Sequence, residues 1–85
     1  MNTKATIPAS YIQDKRNEIG DKIREIRERQ GYSQEQLAEL MEINRATLSK
    51  IENGKFAITI DYLYKIAWYL DFDVCINDNN PIVDV

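Results

Sequence analysis

The stretch GYSQEQLAELMEINRATLSKIENG, residues 31–54, decides the fold of this chain, because it reads as two short capped helices separated by three residues. Gly31 ends the segment before it. Ser33 and Gln36 then make a capping box: the hydroxyl oxygen accepts from the Gln36 backbone N–H while the Gln36 side chain reaches back, and a helix opens. Leu37, Ala38, Leu40 and Met41 give that helix one inward face. Asn44 is the next good N-cap, Leu48 and Ile51 stand three apart behind it, and Asn53 with Gly54 stops the second helix. Helices this short are not stable alone in water, so they must pack on each other and on their neighbours. The arrangement is a helix-turn-helix, whose second helix is the one that can enter a DNA major groove.

Working outward, residues 1–9 (MNTKATIPA) have no period and carry a Pro, so a flexible arm is expected. Ser10 with Gln13 offers another capping box, and Ile12, Ile19, Ile23 and Ile26 recur at seven, four and three, so one helix should run from about residue 11 to Gln30. Gly20 inside it costs roughly 1 kcal/mol relative to Ala and leaves room for a break there. On the other side, Thr59 caps a helix with Asp61 in its first turn. Leu63, Ile66, Ala67 and Leu70 form its stripe, and Tyr62, Tyr64, Trp68 and Tyr69 at helical spacing read as core rather than as a base-stacking platform. Phe72–Ile76 alternates like a short half-buried strand, and the last nine residues read as a loose tail. The domain is therefore expected at 10–70, between an arm at 1–9 and a strand and tail at 71–85.

An 85-residue chain that is 44% hydrophobic supports one modest core and no second domain. Eight aromatic residues against three Gly and two Pro give a composition too ordered for disorder and too poor in turns for a β-sandwich. The lone Cys75 has no internal disulfide partner, and no apolar run approaches the roughly eighteen residues of a membrane span. A cytoplasmic protein without membrane association is the expectation. The net charge of −3 argues against a nucleic-acid partner until its distribution is read: residues 1–55 hold ten Lys/Arg against nine Asp/Glu, whereas 56–85 hold Lys65 against five Asp. Arg45, Lys50 and Lys55 sit in or beside the second helix of the motif, where the only acid is Glu52, so a positive face fits on an acidic protein.

Residues 19–70 resemble the Xre family, the Cro and phage-repressor type of helix-turn-helix, through IREIRERQGYSQEQLA, the spacing to LSKIENGK and the closing YLYKIAWYL helix. The resemblance implies an all-α, four- to five-helix lambda-repressor-like domain that binds operator DNA as a dimer. Carried over by position, it makes Gln34 a DNA-contacting glutamine, places Arg45, Ala46 and Lys50 toward base edges and Asn53 at a phosphate, and pairs Arg27 with Glu52 as a partly buried ion pair. Glu42 departs from the family, which commonly has Gly in the turn. A positive backbone angle there would be strained by about 1 kcal/mol, or the turn would take another shape.

The residues themselves leave some of this open. Gln34 is suited to phosphate or adenine and is equally an ordinary first-turn residue. Arg45 is sharper: a cation directly after an N-cap opposes the helix dipole, so stability alone favours an acid there, whereas a guanidinium suits G O6/N7 or a phosphate. Asn44 joins the DNA-facing set as its cap. Thr47 and Ser49 read bases or are merely solvated, and Lys50 and Lys55 are placed for phosphates. With no His, no Gly-rich phosphate loop and one Cys, the chain offers no catalytic residues and no metal or cofactor site, so it does not read as an enzyme. A transcription regulator binding a palindromic operator leads; an antitoxin that binds its own operator and holds a cognate toxin protein is the alternative, and a protein-binding helical adaptor is a third. In the first two, a homodimer pairs Phe72, Val74 and Ile76 with the same segment of a second chain.

Overall fold

A computed structural model of the chain describes residues 6–79. Four helices follow in order: α1 (Tyr11–Arg29), α2 (Gln34–Met41), α3 (Arg45–Glu52) and α4 (Ile60–Leu70). The class is all-α. No helix among the described residues is long and apolar enough to cross a membrane.

Three of the four starts use a side-chain cap. Ser33 and Gln36 close the full box at α2, Asn44 Oδ1 accepts from Ala46 N at 2.9 Å, and Thr59 Oγ1 accepts from Tyr62 N at 3.1 Å. The exception is α1, where the expected Ser10–Gln13 box does not form: Ser10 makes no side-chain cap, and the Gln13 amide is committed to Gly54 O and Asn17 Oδ1 instead. Ser10 is already in the helical region, at φ −90° and ψ −8°, whereas the three working caps are extended. The helix also runs unbroken through Gly20.

All four ends share one device, a residue with positive φ followed by a backbone N–H that reaches back five residues. Gly31 and Gly54 take this conformation without cost, at φ 86° and 72°. Glu42 (φ 56°) and Asp71 (φ 55°) adopt it as well, despite their Cβ atoms. Ile43 N bonds Ala38 O at 2.9 Å and Phe72 N bonds Ala67 O at 3.1 Å, so the turn into α3 keeps the geometry that glycine usually supplies.

The core gathers Ile23 and Ile26 of α1, Leu37, Ala38 and Met41 of α2, Leu48 and Ile51 of α3, and Ile66 and Leu70 of α4. Helix α3 packs on α1 and α2, and α2 on α4. Several residues expected inside are not: Leu40, Ile12 and Ile19 are exposed, as are Tyr64 and, at 81%, Trp68. The apolar stripe of α1 faces the core only in its C-terminal half, because the N-terminal half packs through polar residues. Tyr62 and Tyr69 are half-buried, the former with its ring tilted 58° to that of Phe56.

Beyond Leu70 the chain is irregular. Residues 72–78 form neither the expected strand nor a further helical turn within this chain; Phe72 packs on the core, Val74 is half-buried, and Ile76 is 96% exposed. A strand needs a neighbouring edge, and a four-helix chain has none to offer. Of the expected arm, residues 6–9 are exposed and irregular, and the remainder, like the end of the tail, lies outside the described residues.

Candidate nucleic-acid interface

Helix α3 is two-sided. Leu48, Ile51 and Glu52 are buried, whereas Arg45, Ala46 and Lys50 are exposed, and Thr47 and Ser49 sit half-buried between the two faces. Its first turn holds no acid. The Asn44 side chain caps the helix, so its role in this chain is to satisfy an orphan N–H and to aim the turn that carries Arg45. The side chains of Arg45, Lys50 and Lys55 make no hydrogen bond or ion pair to any described residue. Three cations without an internal partner, on or beside one outward helix face, leave their charge to whatever approaches from solvent.

The inner side of the same helix is tied down. Arg27 donates from Nε to Glu52 Oε2 at 2.6 Å and from Nη2 to Oε1 at 3.0 Å, a bidentate pair in which the Glu52 side chain is 0% exposed. The third arm of the guanidinium, Nη1, donates to Tyr32 O at 2.7 Å, linking the pair to the α1–α2 turn. The bond to Glu52 holds Arg27 above the ordinary arginine range, against burial, which pulls it down. The stability this shift represents is present below that range and lost only as pH rises beyond it. No buried side-chain nitrogen or oxygen among the described residues lacks a partner. A carboxylate on a helix that faces DNA would repel phosphates, and here its charge is matched from inside.

Gln34, read from the sequence as a DNA contact or an ordinary first-turn residue, donates its side-chain Nε2 to Glu52 Oε1 at 2.9 Å. One amide hydrogen is therefore used internally, while the residue remains half-buried at the first position of α2 with its second hydrogen uncommitted. Asn53 is held from two sides: its Nδ2 donates to Ser49 O at 2.8 Å, and Arg24 Nη2 donates to its Oδ1 at 3.3 Å. The structure thus brings Gln34, Arg27, Glu52 and Asn53 into one connected network. It leaves Arg45, Ala46, Lys50 and Lys55 as the free outer face.

Sequence reading missed the part of α1 that clamps the end of α3. Gln13, Asn17, Gly20, Arg24 and Arg27 recur at four, three, four and three, and this polar stripe faces α3. Gln13 Nε2 donates to Gly54 O at 2.8 Å, and Arg24 Nη2 donates to Glu52 O at 3.0 Å. At Gly20 the two backbones come so close that a Cβ would lie 2.5 Å from Ile51 O. The signal was present as a helical period of polar residues through a mid-helix Gly, which a search for apolar periods passes over.

The helix-turn-helix family model matches residues 23–75, well over half of the chain. A protein of Pyrococcus furiosus carrying the name HTH-type transcriptional regulatory protein is 33% identical over 52 residues, which is 61% of this chain and 16% of that protein; one of Thermococcus kodakarensis with the same name is 35% identical over the same shares. The chain spans about one sixth of the length of these curated relatives. Among solved structures, the restriction-modification controller protein C.AhdI from Aeromonas hydrophila has 30% identity and a TM-score of 0.67, over 71% of this chain and 91% of that one. A HipB variant in complex with an O2 20mer has 22% identity and a TM-score of 0.66, over 92% of this chain and all of the other, a likeness of fold.

Proposed function

This chain belongs to the Xre-type helix-turn-helix family, and we propose that it is a sequence-specific DNA-binding transcription regulator that inserts α3 into the major groove. The observation that carries the reading is the split of α3: Arg45, Ala46 and Lys50 outward with neither cation paired to any described residue, and the one acid, Glu52, turned inward and neutralised. In this reading Arg45 reaches a base edge or an adjacent phosphate, Lys50 and Lys55 contact phosphates, and Gln34 offers its remaining amide hydrogen to the backbone. Asn53, Thr47 and Ser49 line the flank. The network beneath holds these groups in one geometry, which lowers the ordering cost on binding.

One helix-turn-helix covers half a site, so the regulator acts as a homodimer on a palindromic operator, with half-sites about 34 Å apart. Phe72–Ile76 supplies an extended edge that pairs with its two-fold mate. The controller protein's 30% identity over nearly its whole length favours a regulator over an antitoxin with a toxin partner, for which the HipB likeness offers fold alone.

The test is a fluorescence-anisotropy titration, first with a random duplex at low and moderate salt and then with sites enriched from a random pool. A groove reader binds random duplex weakly, loses that affinity steeply as salt rises, and enriches a palindrome. Salt-independent binding, or none at low salt, would sink the proposal and favour a protein-binding adaptor. Sedimentation of the full chain beside one ending at Leu70 tests the pairing segment: a folded, equally dimeric truncation rules it out.

A further inference from the structure

The first half of α1 carries a hydrogen-bond relay to the corner that follows α3, and the relay ends on an unused donor. Gln13 Nε2 donates to Gly54 O at 2.8 Å and to Asn17 Oδ1 at 3.0 Å. Both of its hydrogens are then used, and the Gln13 amide cannot turn over, because its oxygen would meet two acceptors. Asn17 is fixed in turn, with its oxygen toward Gln13 and its nitrogen left over. Neither hydrogen of Asn17 Nδ2 has a partner among the described residues, and the residue is exposed. Its place is equally defined: a Cβ added to Gly54 would overlap Asn17 Oδ1, so Asn17 stands against the residue that lies between Asn53 and Lys55.

We infer that Asn17 is a further contact to the DNA backbone, with its Nδ2 donating to a phosphate at the Lys55 corner. The inference rests on the DNA reading above, in which Lys55 meets phosphates, and adds a residue of α1 to that interface. A phosphate only accepts, so a side-chain amide serves it only with the nitrogen available, and the relay from Gly54 through Gln13 settles that before any DNA arrives. The same device recurs at Asn53, whose Oδ1 accepts from Arg24 Nη2 at 3.3 Å. Acids near Asn17 on the helix are engaged: Glu18 pairs with Lys15 at 3.5 Å and Asp21 with Arg24 at 3.6 Å. Asp14 sits in the first turn, where the helix dipole favours an acid. Asn17 also precedes residue 23, where the family match begins, so the contact lies outside the matched segment.

The experiment titrates a fluorescent random duplex with the full chain at low and moderate salt, as wild type, Asn17→Asp and Lys15→Gln, with far-ultraviolet circular dichroism as the fold control. Asn17→Asp keeps the oxygen that accepts from Gln13 and puts a carboxylate oxygen where the donor was. Lys15→Gln makes the same change in net charge two residues away, on another side of the helix. Expected is binding weakened at least ~10-fold in Asn17→Asp, the weight of one hydrogen bond to a charged group, and less than ~2-fold in Lys15→Gln, where screening leaves little. Equal losses in the two variants would trace the effect to net charge and overturn the inference, while binding by the wild type leaves the DNA reading intact. The wild type supplies a second measurement that holds even where Asn17→Asp fails to fold. Its assigned Asn17 side-chain amide signals in a heteronuclear spectrum should shift as duplex is added, and signals that stay in place while those of Asn53 move overturn the inference. A wild type that binds no duplex at low salt overturns both.

Discussion

The two ends of α3 are built on opposite principles. On the inner side of its C-terminal end the polar groups are held: Glu52 by Arg27 and Gln34, its carbonyl by Arg24, Asn53 by Ser49 and Arg24, and Gly54 by Gln13. At its N-terminal end Arg45 follows the cap Asn44, is exposed, and makes no side-chain hydrogen bond or ion pair to any described residue. The difference teaches where binding strength and where rigidity come from in a helix of only eight residues. A helix this short has little stability of its own, so its orientation is set by the clamp on the inner side of one end, while Arg45 at the other end is left to solvent.

The comparison breaks most readily at the buried pair. Arg27→Met leaves the wholly buried Glu52 carboxylate without its main partner and should cost about 3–5 kcal/mol of stability in thermal or denaturant melts, with Glu52→Gln comparable and the double variant recovering part of the loss. Independent effects below about 1 kcal/mol would mean that the C-terminal end is not clamped. Gly20→Ala comes next: the added methyl meets backbone carbonyls of Ile51 and Glu52, which cannot turn aside, so a loss of about 3 kcal/mol is expected, the upper end for overpacking. The same change at an ordinary mid-helix Gly would stabilise, so the sign alone decides whether α1 and α3 touch backbone to backbone.

At the free end the expected effects fall on binding. Arg45→Ala should weaken the preferred duplex by roughly 1 to 3 kcal/mol in anisotropy and relax one base-pair preference, with melting unchanged. If it lowers the melting temperature instead, Arg45 has a structural partner and the contrast between the two ends is lost. The smallest effect lies in the turn that joins α2 to α3. Glu42→Gly should stabilise by about 1 kcal/mol through relief of the left-handed conformation, read as a small rise in melting temperature.

The helix ends show how much of this was open to sequence reading. Ser33, Asn44 and Thr59 cap helices where they were expected to, because a cap bonds to its own neighbours two or three residues on and needs nothing distant. Ser10 offered the same local pattern and failed, because its backbone is helical (φ −90°, ψ −8°) rather than extended as at the three working caps, and the Gln13 side chain bonds Gly54, forty-one residues away. The apolar periods located the core at Ile23, Ile26, Leu37, Met41, Leu48, Ile51, Ile66 and Leu70, yet the same reasoning put Leu40, Tyr64 and Trp68 inside. A helical period gives the direction of a face, and a face becomes buried only when another element covers it.

The sequence by itself therefore determined the four helices, their order, the three-residue turn and the position of Arg45 on α3, since each rests on residues within a turn or two of one another. The tertiary structure alone decided that Gly20 is a crossing point rather than a break, that Gln34 is tied to Glu52, that Gln13 and Arg24 hold the end of α3, and that one side of α4 stays bare. Those outcomes depend on which distant groups arrive at the same place. A buried carboxylate gathers whatever donors can reach it, and an apolar stripe stays in water when no helix of its own chain is left to cover it.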